Sequence, residues 1–148
     1  MKYSENITNR LNEILTRNYD AEAGYKQAAE KVENKNLKDF FTNRAKERYD
    51  FGHQLKAEIA AYGENADKGT SFKGDAHRAW MDIKTALSGD NEEAVLEEAI
   101  RGEKAAIEDY NEILADPNLP PTIENILKVQ RDNVKTALNE VKALETVA

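Results

Sequence analysis

The sequence predicts an all-α protein: a four-helix bundle made of two antiparallel hairpins, joined by a long crossover that carries a short helix of its own. Three observations predict it. Ala, Glu, Lys, Asn and Leu dominate the composition, while most of the Gly and all of the Pro fall between residues 63 and 121. Four long segments each place their apolar residues on one stripe when the chain advances 100° per residue. Between the first two and between the last two lie turns short enough to make each pair antiparallel neighbours.

The first helix is expected from Ser4 as N-cap to about Asn34, with Ile7, Leu11, Ile14, Asn18, Ala21, Glu22, Tyr25, Ala29 and Val32 on its stripe. After a turn at Glu33 to Asn36, with Asn36 as cap, a second stripe runs through Leu37, Phe40, Phe41, Arg44, Arg48, Phe51, Leu55, Ile59 and Tyr62, and Gly63 ends it. The crossover begins with a turn-rich stretch to Thr70, then an amphipathic helix from Ala76 to about Leu87 turns Trp80, Ile83 and Leu87 inward. A helix of about 26 residues is roughly 39 Å long, and a connection of this size can return along it, leaving the third helix parallel to the second. That third helix starts at Asp90, with Glu93 as a capping-box-like partner, and holds Val95, Leu96, Ala99, Glu103, Ala106, Ile107, Tyr110, Ile113 and Leu114 on its stripe until Asp116-Pro117 stops it. Pro120-Pro121 opens the fourth, whose stripe is Ile123, Ile126, Gln130, Val134, Ala137, Val141 and Leu144.

At 148 residues the whole chain is read as one domain, residues 1–148. It contains no cysteine, which excludes thiolate metal sites, disulfides and thiol catalysis. No run approaches the roughly 18 apolar residues needed to span a bilayer, and the start has no apolar leader, so a soluble cytoplasmic protein is expected. The net charge of -7, from 28 acidic and 21 basic residues mixed along the chain, argues against nucleic-acid and membrane partners.

Polar residues interrupt the stripes near mid-helix: Asn18 and Glu22, then Arg44 and Arg48, then Glu103, then Gln130 with Asn133 nearby. Glu22 precedes Arg48 by 26 residues and Glu103 precedes Gln130 by 27, a weak pseudo-repeat with ferritin-like connectivity. In di-metal bundles of that kind each half supplies a Glu from its first helix and a Glu-x-x-His from its second. Here the second kind of place holds Arg44 and Arg48 in one half, and Gln130 with Asn133 in the other. A guanidinium has no lone pair for a metal. The pair Asp50 and His53 has the right spacing but the wrong phase, more than 120° off the stripe, and is expected at the surface. His77 is expected to be a packed structural residue.

The layer is therefore read as a buried network of two carboxylates, Glu22 and Glu103, against two guanidiniums, Arg44 and Arg48. Asn18, Gln130, Asn133, Tyr25 and Tyr110 are its hydrogen-bond partners. No catalytic residue, cofactor or metal is assigned. The alternative is a carboxylate-bound di-iron or di-manganese oxidase, or another metal-binding protein, with Glu22 and Glu103 as ligands. Gly102, costly inside a helix, is expected to admit a close neighbour, with Trp80 as the candidate.

Asn18-Tyr19-Asp20, Gly24 to Glu30, His77-Arg78-Ala79-Trp80, Arg101-Gly102-Glu103 and Tyr110 resemble the bacterial ferritin-like family with a domain of unknown function numbered 2383. The resemblance covers nearly the whole chain. It implies a ferritin-like four-helix bundle with an additional crossover helix, and His77, Trp80, Arg101 and Glu103 as signature residues, with no activity attached. The expected protein is a non-catalytic ferritin-like bundle, stress-associated or scaffolding, that can pair into dimers.

Overall fold

The computed structural model describes residues 2–61 and 92–147. They form four α-helices and, among the described residues, no strand: α1 Lys2–Lys31, α2 Lys35–Ala61, α3 Glu92–Leu114 and α4 Pro121–Val147. The expected crossover helix, with His77, Trp80, Ile83 and Leu87, lies outside the described residues.

The ends of the helices follow from local chemistry. α1 begins at Lys2, two residues before the expected cap at Ser4, and closes with the Val32 amide bonded to the Ala28 carbonyl at 3.0 Å. It stops short of the expected Asn34 because Asn34 is engaged elsewhere. Its side-chain Oδ1 accepts the Leu37 amide at 3.1 Å, the N-cap bond of α2. The cap is thus Asn34 and not Asn36. Asn34→Ala should destabilise the protein by about 1 kcal/mol in urea denaturation, whereas Asn36→Ala should change little. After α3 the Asp116 side chain accepts the Asn118 amide at 2.9 Å, a turn that the helix cannot continue through. Pro121 is the first residue of α4, and the Pro120 carbonyl accepts the Glu124 amide at 2.9 Å.

The pairing of helices can be read from cross-contacts. α1 packs along α2, and α3 along α4; α1 also touches α3, and α2 touches α4. Arg10 pairs with Asp116 at one end of the α1–α3 seam, Arg17 with Asp109 farther along, and Glu92 accepts the amides of Glu33 and Asn34 at 3.0 and 3.2 Å at the other end. Rising numbers on α1 meet falling numbers on α3, so these two are antiparallel, and α3 runs parallel to α2 as the length of the crossover suggests.

Within the first hairpin the helices come close at Gly52. A Cβ there would lie 3.3 Å from the Tyr19 ring, closer than a side chain normally sits, and in ordinary contact with Leu15 at 3.5 Å. Gly102 is buried; the close neighbour expected for it, Trp80, lies outside the described residues. The apolar core falls into two clusters. One gathers Tyr25, Phe40, Phe41, Leu96 and Val141, with the Tyr25 and Phe41 rings stacked at 5.9 Å. The other gathers Leu11, Leu15, Leu55, Ile59, Ile123 and Leu127. Between them lies the polar layer.

Candidate functional site: a polar layer built on Arg48 and Glu103

Arg48 projects from the middle of α2 with 2% of its surface exposed, and Glu103 from the middle of α3 with 0%. Nη2 of Arg48 donates to Oε1 of Glu103, and Nη1 donates to Oδ1 of Asn18 on α1 at 2.7 Å. The fork is therefore split between a carboxylate and an amide. Asn18 passes the chain on: its Nδ2 donates to the Ile14 carbonyl and to the Tyr110 hydroxyl, both at 3.1 Å. Tyr110 donates to Oε1 of Gln130 at 2.7 Å. The Nε2 of Gln130 ends the chain on α2, donating to the Phe51 carbonyl at 3.3 Å and to Oε1 of Gln54 at 2.9 Å. All four helices are linked by one run of donors that starts at Arg48, passes through Asn18, Tyr110 and Gln130 and ends on the surface residue Gln54, while Glu103 accepts from the other arm of the Arg48 fork.

Electrostatics follow from burial. Desolvation opposes the charge on Arg48 and is the largest single influence. The Glu103 carboxylate, with Tyr110 and Tyr25 behind it, outweighs that penalty together and holds the guanidinium above its usual range. The Tyr25 hydroxyl is pushed well above its usual value, first by burial and then by the Glu103 carboxylate. Burial likewise pushes Tyr110 up to about 12.

Three members expected in this layer lie elsewhere. Glu22 is only half-buried and its carboxylate pairs with Lys26, one turn along α1, at 2.9 Å. Its Cα lies on the edge of the stripe nearer α2, and the side chain leaves through the outer groove of the hairpin. Arg44 is also half-buried, with its guanidinium 5.6 Å over the Phe40 ring and Nη1 on Glu47 at 3.2 Å. Burial pushes the Glu47 carboxyl up despite that neighbour. Asn133 is exposed, because three residues beyond Gln130 turn it 60° further from the axis of the bundle. The expected two-against-two charge network is instead one buried pair, Arg48 with Glu103, extended by neutral hydrogen bonds.

His53 and Asp50 are exposed, His53 edge-on to the Tyr49 ring at 4.4 Å. Arg101 is exposed and bonded through Nε to Glu98 at 2.9 Å. Gln54 is the member of the chain that periodicity does not reveal, since its own Cα lies on the solvent side of α2.

Among the described residues no three His, Cys, Asp or Glu side chains converge on one point; Arg48 donates to Oε1 of Glu103, and the Glu22 carboxylate pairs with Lys26.

The family model described as a domain of unknown function, DUF2383, matches residues 6–116, well over half of the chain. The chain belongs to this family. The DUF2383 match takes in Asn18, Arg48, Glu103 and Tyr110, whereas α4 and Gln130 lie beyond it. No curated protein matches the chain. No helix among the described residues is long and apolar enough to cross a membrane.

Proposed function

We propose that this DUF2383 chain is a non-catalytic, ferritin-like bundle of the bacterial cytoplasm, stress-associated or scaffolding in role, which acts through its outer surface. One observation carries the reading: the centre of the bundle, where a di-metal protein of this connectivity would gather carboxylates and imidazoles, is filled by the Arg48 guanidinium bonded to Glu103 and Asn18. A fixed positive charge there repels a cation and consumes the carboxylate that would bind it. With an acidic surface, nucleic acid and anionic membranes are poor partners.

Elemental analysis of protein purified without chelator tests the proposal. The expected result is iron and manganese far below one equivalent per chain, unchanged in Glu22→Gln and Glu103→Gln. Near-stoichiometric metal that disappears in those variants would overturn it and restore the carboxylate-bound oxidase reading.

A further inference from the structure

The outer face of the first hairpin carries an open groove whose lining is mostly apolar: Ala29 on α1, Ala45 and the ring of Tyr49 on α2, with Glu22, Lys26, Glu30 and Lys46 around the rim. Tyr49 is 46% exposed, the most exposed tyrosine or phenylalanine ring among the described residues. Nothing in the polar layer explains it, since Tyr49 and Lys46 point away from Arg48.

The rim narrows the choice of occupant. It holds two acids and two bases, so a strongly acidic or basic partner would meet like charge on half of it. The register of the hairpin is set by Asn18 against Arg48, Tyr25 against Phe41, and Ala29 against Lys38. Those pairs place Glu22 and Lys46 at nearly the same height on opposite walls. A two-fold axis parallel to the helices lays α1 of one copy over α2 of the other at equal height. Glu22 then faces Lys46 of the partner subunit, and the reciprocal pair forms by symmetry. The existing bond from Glu22 to Lys26 involves a largely exposed amine and exchanges at little cost.

We infer that this face, centred on Tyr49, is the interface of a symmetric homodimer. Apolar contact comes from the exposed ring of Tyr49 and from Ala29, and pairing is specified by reciprocal Glu22–Lys46 bridges. The inference rests on the reading of the protein as a bundle that works through its surface, yet it stands apart from metal content: a metal-free monomer would defeat the interface and leave that reading intact.

Sedimentation equilibrium of the full chain from micromolar to sub-millimolar concentration is the test. A monomer–dimer equilibrium is expected, weakened at least about tenfold by Tyr49→Asp, by Glu22→Lys and by Lys46→Glu, and restored toward the parent value in the Glu22→Lys, Lys46→Glu double variant. These side chains are exposed or half-buried, so circular dichroism should report an unchanged fold in each. A monomer throughout the range, a dimer indifferent to Tyr49→Asp, or a charge swap that fails to restore association would each overturn the interface.

Discussion

Arg48→Met is expected to lower the unfolding free energy by about 3 to 5 kcal/mol. The methionine fills much of the same volume, so the loss is electrostatic. Glu103 is left fully buried without the only cationic partner it has among the described residues, and Asn18 loses the donor to its Oδ1. Urea denaturation with matched m-values would give the number. A second substitution separates this cause from lost packing. In Arg48→Met with Glu103→Met the buried charge is gone, and much of the lost stability should return, because an apolar pair of similar volume replaces a desolvated ion pair at little net cost. Adding replacements of Glu22 and Arg44 should contribute little more, since both are half-buried and pair within their own helices. An Arg48→Met protein as stable as the parent would mean that Glu103 has another way of being satisfied.

The second large effect is expected in alkali. Tyr110 has its pKa pushed up to about 12 in the folded protein against a usual 10.0, because burial disfavours the phenolate. The fold therefore prefers the protonated form, and its contribution is complete below pH 10 and is lost progressively as the pH rises toward 12. One such group costs about 2 kcal/mol by pH 12. Tyr25, also raised by burial, adds to the loss in the same direction. Denaturation midpoints at pH 8, 10 and 11.5 would show the decline. In Tyr110→Phe the starting stability should be lower by about 1 to 3 kcal/mol, from the unpaired Gln130 oxygen and Asn18 amide, while the alkaline decline becomes shallower. An equally steep decline in that variant would assign the titration to other groups.

Phase along a helix is what made Arg48, Glu103, Asn18 and Gln130 readable in the sequence. Each lies near the middle of its stripe, where any side-chain conformer ends inside the bundle. Glu22 and Arg44 lie nearer the edges, and their long side chains can follow the surface outward; periodicity fixes the direction of Cβ and not where three or four further bonds lead. Asn133 failed for the opposite reason, a short side chain whose spacing from Gln130 already turns it out. The choice of Asn34 over Asn36 as cap was hidden because both are good N-cap residues, and the Glu92 carboxylate that immobilises the preceding turn comes from 58 residues away. Antiparallel hairpins were legible from turn length alone. The identity of the hydrogen-bond chain was not, because Gln54 enters it from the solvent side.

The direction of the helices has one more consequence. α1 opposes α2 and α3, and α4 opposes α3 and α2, so every contacting pair is antiparallel. Each end of the bundle then presents two amino termini beside two carboxyl termini, and the partial charges of the four macrodipoles, about half an elementary charge apiece, cancel within a few ångströms. The dipoles of the four described helices therefore leave neither end of the bundle with a net partial charge of one sign, and what field the protein projects comes from its charged side chains.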